Sequence, residues 1–138
     1  MSTIEQNARA IRRCVDLFNK RTSEWIDTCF AENADWIDLP IPGMTKSRQD
    51  NRAFLRESAE ELLRLYPDRQ MSICNLVALG EQVVLELDWR GTTAEAVGTL
   101  AAGTAVHFLV ASFFTISDGM ITRQTDYCIP MPAKTSSQ

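Results

Sequence analysis

The hydrophobic periodicity of this chain changes at Pro67, and that change limits the folds it can adopt. Upstream of Pro67, apolar residues recur at intervals of three and four, which is typical of amphipathic helices. Downstream, apolar and often β-branched residues alternate with other positions, which is typical of strands. Helices first and a four-strand meander last predict an α+β domain. We expect a cone-shaped barrel in which a curved, mostly antiparallel sheet wraps around three N-terminal helices.

Three helices and five strands follow from these patterns. A first helix reaches about Lys20, Thr22 or Ser23 can cap a short second one, and a third begins at Ser47 and ends at Pro67. A Ser-Asp-Gly sequence at 117–119 predicts the turn of a hairpin. The expected strands cover residues 35–38, 71–79, 83–90, 104–116 and 120–128.

The size and charge of the chain narrow its class. It has 138 residues, 45% of them hydrophobic and 23% charged, which is typical of one globular domain. We assign residues 1–130 to that domain and 131–138 to a flexible tail. The net charge of -4 offers no basic surface for nucleic acid. The longest apolar stretch, 105–116, is too short to span a membrane, and the N-terminus shows no export signal, so we expect a cytoplasmic protein with no membrane partner.

The four cysteines are spaced too irregularly to form a metal-binding motif. Cys14, Cys29, Cys74 and Cys128 contain no Cys-x-x-Cys pair, and the chain has a single histidine. We therefore expect reduced, mostly buried thiols, no metal site and no cofactor.

Two motifs lie at opposite ends of the chain. Residues 30–38 read Phe-Ala-Glu-Asn-Ala-Asp-Trp-Ile-Asp, and residues 114–127 end in Asp126-Tyr127. The first motif resembles a signature of the nuclear transport factor 2-like superfamily, and the second is similar to the ending of its SnoaL-like polyketide cyclase branch. The resemblance covers about residues 4–128. It implies a cone-shaped, usually homodimeric fold with a hydrophobic pocket, which serves cyclases, ketosteroid isomerase, limonene epoxide hydrolase and many non-enzymes, so the fold alone fixes no reaction.

The resemblance singles out Asp38, Asp126 and His107 as catalytic candidates. Asp38 stands where the superfamily's ketosteroid isomerases keep their base, and Asp126 matches the aspartate that acts as acid or base in its cyclases and epoxide hydrolases. SnoaL-like cyclases pair that aspartate with a histidine, and an imidazole exchanges protons near neutral pH. Structural roles stay open: Asp38 can cap a turn, Asp126 can lie on a solvated sheet edge, and His107 can be a satisfied structural residue.

Six further residues are candidates for contact with a substrate. Strand alternation places Trp36 on the face of Asp38, and Gln124 on the face of Asp126. The aromatic candidates can equally belong to the core, because core and pocket wall are continuous in a cone. The six are Cys14, Phe18, Trp36, Phe54, Trp89 and Gln124.

The sequence departs from two members of the superfamily. Cys14 replaces the oxyanion-stabilising tyrosine of ketosteroid isomerase, and Ala111 or Ser112 falls where its second acidic donor stands. Steroid isomerisation of that kind is therefore not expected. Epoxide hydrolases of this fold use an Arg-x-Asp pair, whereas this chain has Asp88-x-Arg90 in reverse order, for which a surface ion pair is an alternative.

These observations support three functions for a chain with this fold. The leading hypothesis is a cofactor-independent cyclase, isomerase or lyase that uses an aspartate as general acid or base on a small hydrophobic carbonyl compound. A non-catalytic ligand-binding or dimerisation module is the first alternative, and a limonene epoxide hydrolase-like enzyme is the second. We also expect a homodimer, because the outer face of the meander carries more apolar side chains than one helix layer can cover.

Overall fold

Three helices cover one side of the molecule. The computed structural model describes residues 3–39 and 48–132, with the backbone alone at 38, 39 and 48–50. Helix α1 spans Thr3–Phe18, α2 spans Trp25–Cys29 and α3 spans Arg52–Leu65. Their apolar stripes point to a common core, in which Ile11, Ile26 and Leu55 are fully buried. No helix in the described part of the chain is both long and apolar enough to cross a membrane.

In the described residues, a six-stranded sheet forms the other side. Its strands are β1 (Phe30–Leu39), β2 (Arg48–Asp50), β3 (Gln70–Leu79), β4 (Gln82–Thr92), β5 (Ala105–Ser117) and β6 (Met120–Pro130). Their order across the sheet is β2-β1-β6-β5-β4-β3. Strand β1 runs parallel to β6, and every other neighbouring pair is antiparallel. The edge strands β2 and β3 are not paired with each other, so the curved sheet stays unclosed. This confirms the predicted α+β class and the antiparallel meander.

The helix starts differ from those predicted. Helix α3 is capped by Asn51, whose side-chain oxygen accepts hydrogen bonds from the backbone N–H groups of Ala53 and Phe54 at 3.0 and 3.2 Å. The predicted start at Ser47 lies outside the described residues. Helix α2 has no side-chain cap, so neither Thr22 nor Ser23 serves as one. The first helix ends at Phe18 and not at Lys20.

The hairpin between β5 and β6 sets which β6 side chains point inward. Its turn has positive φ at Asp118 (52°) and Gly119 (78°), which is the geometry of the predicted Asp-Gly turn. A bulge then shifts the register between Thr115 and Ile116. The extra residue turns Ile121 into the core, whereas simple alternation places it on the face opposite Asp126.

The two faces of the sheet differ in exposure. In β4 and β5 every second residue is buried on the inner face, against the helices. The outer face keeps exposed apolar side chains, among them Leu109, Phe113, Tyr127 and Ile129. Of the expected flexible tail, only residues 131 and 132 are described. The Met131 backbone N–H donates to the carbonyl oxygen of His107 at 2.8 Å.

Candidate functional site

A cavity lies between the three helices and the inner face of the sheet. Its volume is about 80 Å³, several times the roughly 10–15 Å³ that one water molecule needs. Apolar side chains form most of its wall, and Ser58, Ser112, Gln124 and Asp126 are its uncharged polar and acidic members. The apolar and aromatic lining residues include Ile11, Val15, Phe18, Trp25, Trp36, Leu62, Met71, Leu87, Trp89, Phe108, Val110 and Phe114.

A single carboxylate faces this apolar wall. Asp126 is only 6% exposed, and among the described residues that line the cavity it is the only acid. Ser112 Oγ donates to its Oδ1 at 2.6 Å, and Trp36 Nε1 donates to its Oδ2 at 2.8 Å. Gln124 Nε2 lies 3.0 Å from Oδ1 and 3.1 Å from Oδ2. Three side-chain donors thus fix the carboxylate in one orientation.

Sheet register explains how these groups meet. Asp126 pairs with Ser112 of the antiparallel strand β5, and Gln124 pairs with Trp36 of the parallel strand β1. Gln124 and Asp126 are two residues apart on β6, so both side chains point inward. Burying a charge is costly unless hydrogen bonds compensate for the lost water, and the three donors supply that compensation.

A row of aromatic rings leads away from Asp126. The Trp25 ring centroid lies 6.3 Å from that of Trp36 and 5.5 Å from that of Phe18, both in edge-to-face geometry. On the neighbouring strands β4 and β5, the ring centroids of Trp89 and Phe108 lie 5.6 Å apart. Edge-to-face packing fixes the orientations of these rings, so the shape of the aromatic wall is set by the fold.

The structure places six of the predicted site residues on the cavity wall. Asp126 and Gln124 form the polar cluster, and the others contribute apolar or sulfur-containing surface. The six are Cys14, Phe18, Trp36, Trp89, Gln124 and Asp126.

His107 is not brought to the cavity. It lies on the outer face of β5, because the inner positions of that strand have the opposite parity. Its Nε2 is 2.8 Å from Oδ2 of Asp88, and Arg90 Nε donates to Oδ1 of the same carboxylate at 2.8 Å. Asp88 and Arg90 therefore form a surface cluster with His107, and the arrangement of Asp88, Arg90 and Asp126 considered for an epoxide hydrolase is not assembled.

Phe54 is also placed elsewhere. It lies in the first turn of α3 and is 45% exposed, because the buried stripe of that helix runs through Leu55 and Ala59 instead. Asp38 is aligned with Asp126 in the parallel pairing of β1 and β6. The side chain of Asp38 lies outside the described part of the structure, so its predicted role as base stays a prediction.

The cysteines correct another expectation. Cys14 of α1 and Cys29 at the end of α2 form a disulfide, in which Cys74 and Cys128 take no part. The two helices pack side by side, which brings residues 15 positions apart within bonding distance. The expectation of reduced thiols is therefore wrong for Cys14 and Cys29, and since disulfides are rare in the cytoplasm, the pairing does not favour the predicted cytoplasmic location. That location stays a prediction.

Two site residues, Ser112 and Trp25, are missing from the predicted set. Ser112 interrupts the inner apolar row of β5 between Val110 and Phe114, and a polar residue in such a row is the signal that could have identified it. The sequence signal for Trp25 is only the helical spacing of α2, which does not distinguish a core residue from one on the cavity wall. Among the described residues, no three His, Cys, Asp or Glu side chains come together as a metal site would require.

The sequence model of the SnoaL-like domain matches residues 11–124, most of the chain. The protein belongs to the SnoaL-like family. Its members share the nuclear transport factor 2-like architecture, which agrees with the unclosed curved sheet and the N-terminal helices. Comparison with curated proteins finds no match.

Solved structures with this fold carry several names. A proposed SnoaL-like polyketide cyclase from Jannaschia sp. CCS1 has a TM-score of 0.78 at 16% identity, with 93% of this chain and 89% of that chain covered. A proposed ketosteroid isomerase from Kribbella flavida DSM 17836 has a TM-score of 0.68 at 21% identity, covering 98% and 86%. An LEH-like epoxide hydrolase from M. tuberculosis has a TM-score of 0.69 at 17% identity, covering 93% and 86%. At these identities the likeness shows the fold alone.

Proposed function

We propose that this SnoaL-like protein is a cofactor-independent cyclase, isomerase or lyase that moves a proton on a small hydrophobic carbonyl compound, with Asp126 as general acid and base. The observation that carries this proposal is the carboxylate of Asp126, held in one orientation on the wall of an apolar cavity. A positioned base needs no metal for this chemistry and contributes about 10²–10⁴-fold in rate.

The hydrogen bonds of Asp126 suggest how a ligand engages it. The contacts to Gln124 are longer than those to Ser112 and Trp36, so an arriving ligand displaces the Gln124 amide most readily. The carboxylate then takes a proton from the carbon beside the carbonyl group. The C–H bond breaks, an O–H bond forms on Asp126, and the electron pair moves onto the carbonyl oxygen as an enolate. In this proposal the displaced Gln124 amide donates a hydrogen bond to that oxygen.

The enolate has two balanced outcomes. Where a carbon–carbon double bond of the ligand is conjugated with the enolate, the carbon at the far end of that double bond takes the proton from Asp126, the double bond shifts and an isomerisation is complete. Alternatively, the enolate carbon can attack a second carbonyl group in the same molecule, and the new alkoxide takes the proton from Asp126, which completes a cyclisation. In either case the carboxylate returns to its charged form, as turnover requires.

A ligand-binding module without catalysis is the second candidate. The observation that favours it is the saturation of Asp126, whose two oxygens already receive four donor contacts in the free protein. In that case the carboxylate organises the polar end of the cavity, and the ligand contacts the aromatic wall without losing a proton.

Deuterium exchange separates the two candidates. Phenylacetone and 2-indanone are apolar ketones with acidic C–H bonds, and NMR in deuterated buffer follows their exchange. We expect the protein to accelerate exchange and Asp126→Asn to reduce the protein-dependent rate by about 10²-fold or more. Asp88→Asn removes a carboxylate from the outer face and serves as the matched control, with an unchanged rate. Binding of the ketones without any accelerated exchange would favour the module, as would equal exchange by the parent and Asp126→Asn.

We propose further that the protein is a homodimer that pairs through the outer face of the sheet. Phe113 and Tyr127 form an edge-to-face pair there, with 47% and 48% of their surfaces exposed, and Leu109 and Ile129 lie on the same face. Light scattering should give twice the chain mass of 15.5 kDa. Phe113→Lys should shift the protein toward monomer, and a parent protein that is already monomeric at micromolar concentration would contradict the proposal.

A further inference from the structure

Arg69 is a buried cation that has no counter-ion among the residues that the structure describes. Its side chain is 0% exposed, and Nε, Nη1 and Nη2 have no hydrogen-bond partner within the described part of the chain. Its guanidinium carbon lies 4.5 Å from the centroid of the Phe18 ring. A cation–π contact offsets only part of the cost of removing a guanidinium from water. A buried guanidinium whose donors are unsatisfied calls for an explanation, and an anion from outside the chain would satisfy both its charge and its donors.

The neighbouring charges do not neutralise Arg69. The carboxylate of Asp68 accepts a hydrogen bond from the Thr92 backbone N–H at 2.7 Å. Arg21, a second cation, approaches the backbone, with its Nε 3.4 Å from the carbonyl oxygen of Arg69. Burial and, to a smaller degree, Arg21 lower the pKa of Arg69 to about 10. The guanidinium is therefore still charged at neutral pH.

Two other polar groups near the cavity lack partners. Trp25 Nε1 and the Tyr66 hydroxyl are both buried and receive or make no hydrogen bond with any described residue. Trp25 packs on Phe18, and the Tyr66 ring lies 5.2 Å from that of Trp89, so both belong to side chains in contact with cavity-lining rings. The unpartnered groups of Trp25 and Tyr66, like Arg69, thus lie on side chains that contact rings of the cavity wall.

The position of Arg69 relates it to the cavity. It precedes the cavity-lining Met71 by two residues, and the Phe18 ring that it contacts is itself part of the cavity wall. A row of ring contacts runs from Phe18 through Trp25 to Trp36, which bonds Asp126. A cation and a carboxylate therefore mark the two ends of one aromatic row.

We propose that the ligand of this cavity carries a carboxylate that binds Arg69 at the end of the row opposite Asp126, the Phe18 ring turning aside to admit it. The inference deepens the proposed function, since it uses the same cavity and names the ligand class as a small apolar acid. A guanidinium binds a carboxylate through two parallel hydrogen bonds, which supplies the missing charge and donor partners together. The carboxylate also places the rest of the ligand along the aromatic row toward Asp126.

The test compares two ligands of equal shape, phenylacetate and its neutral counterpart phenylacetamide, in low-chloride buffer. All three tryptophans line the cavity, so their fluorescence reports binding directly. We expect the parent protein to bind phenylacetate about 10- to 100-fold more tightly than phenylacetamide. Arg69→Met should abolish that preference and retain binding of the amide. Arg90→Met, which removes an exposed cation from the outer face, should keep the preference intact.

The outcomes separate this inference from the proposed function. Equal binding of acid and amide by the parent protein would overturn the inference without any variant, so it is testable even if Arg69→Met does not fold. A preference that survives Arg69→Met would overturn it as well. Stabilisation of the parent by inorganic phosphate alone, lost in Arg69→Met and accompanied by no preference between the two aromatic probes, would assign the site to a free anion and overturn the ligand assignment. Loss of deuterium exchange in Asp126→Asn tests the proton transfer separately, because the binding preference involves no turnover.

Discussion

Replacing Arg69 with methionine should stabilise the free protein. The pKa of Arg69 falls well below the ordinary value of an arginine, to about 10, chiefly because of burial, so folding works against the charged form. With 1.36 kcal/mol for each pKa unit, this corresponds to a cost of about 3 kcal/mol at neutral pH. The unfolded chain holds this proton more tightly, so the cost is complete below pH 10 and disappears only as pH rises from 10 toward the ordinary pKa of an arginine.

Part of that gain is lost in the variant. Methionine retains most of the apolar stem and can still contact Phe18, but the cation–π contact, worth about 1 kcal/mol, disappears, and the shorter side chain leaves some unfilled volume. We therefore expect a net gain of about 1–2 kcal/mol in the free energy of unfolding. For a chain of this size the melting temperature should rise by roughly 3–8 °C.

Urea unfolding and calorimetry at pH 7 measure this directly. Arg90→Met is the matched control, because Arg90 is exposed and its loss should change stability by no more than about 0.5 kcal/mol. A decrease in stability of 1 kcal/mol or more in Arg69→Met would refute the reasoning, since it would show that the guanidinium already has a partner in the free protein. Addition of phenylacetate should raise the melting temperature of the parent more than that of the variant.

Three further changes test other parts of the structure. Reduction of the Cys14–Cys29 disulfide, or its replacement by two serines, should lower the free energy of unfolding by about 3 kcal/mol, the value for a loop of about 15 residues, as seen by urea unfolding with and without reductant. The hydrogen bond from Arg90 is the largest of the causes that hold the pKa of Asp88 below its ordinary 3.8, so its contribution is present above pH 3.8 and is lost as pH falls further. Asp88→Asn should consequently flatten the decline of the melting temperature below that pH. Gly91→Ala puts a Cβ atom 3.2 Å from two aromatic residues, and calorimetry should show a loss of about 1–3 kcal/mol.

The elements with strong periodicity could be predicted from the sequence, and the weakly patterned ones could not. The meander after Pro67 agrees with the strands observed, because alternation over ten or more residues is a strong signal. Strand β2 has three residues and forms only through antiparallel pairing with β1, as in the alignment of Asp35 with Asp50. A segment whose structure depends on a distant partner leaves no local pattern to detect.

The difference between clear and ambiguous residue patterns also explains which parts of the candidate site could be predicted. Gln124 and Asp126 were placed on one face correctly, because two-residue spacing decides it. The side of the sheet on which His107 lies could not be predicted, because both faces of β5 are apolar. Leu109 and Phe113 lie on the outer face, while Phe108 and Val110 lie on the inner face. Alternation cannot tell inside from outside when both sets of side chains are hydrophobic, as at a surface that another subunit would cover.

The burial of Arg69 could not be predicted from the sequence, for a different reason. It follows Pro67 and Asp68 in a turn, where a charged residue is normally solvated. Its burial arises because the end of α1 docks there, with Asn19 accepting a hydrogen bond from the Met71 backbone N–H at 2.8 Å and donating one to the Met71 carbonyl oxygen at the same distance. Only tertiary packing creates that contact.

The two buried charges have different consequences for the free protein. Asp126 is satisfied by three donors, so it costs little to keep and a ligand must compete for it. Arg69 has no hydrogen-bond partner among the described residues, so its burial destabilises the empty protein, and a ligand anion competes only with the Phe18 ring for it. Binding should therefore begin at Arg69 and bring the rest of the molecule toward Asp126, where part of the binding energy is used to displace Gln124. A residue that lowers stability while the cavity is empty and strengthens binding when it is filled follows the usual trade-off between stability and function. That trade-off is why an increase in stability and a loss of carboxylate preference should occur together in Arg69→Met.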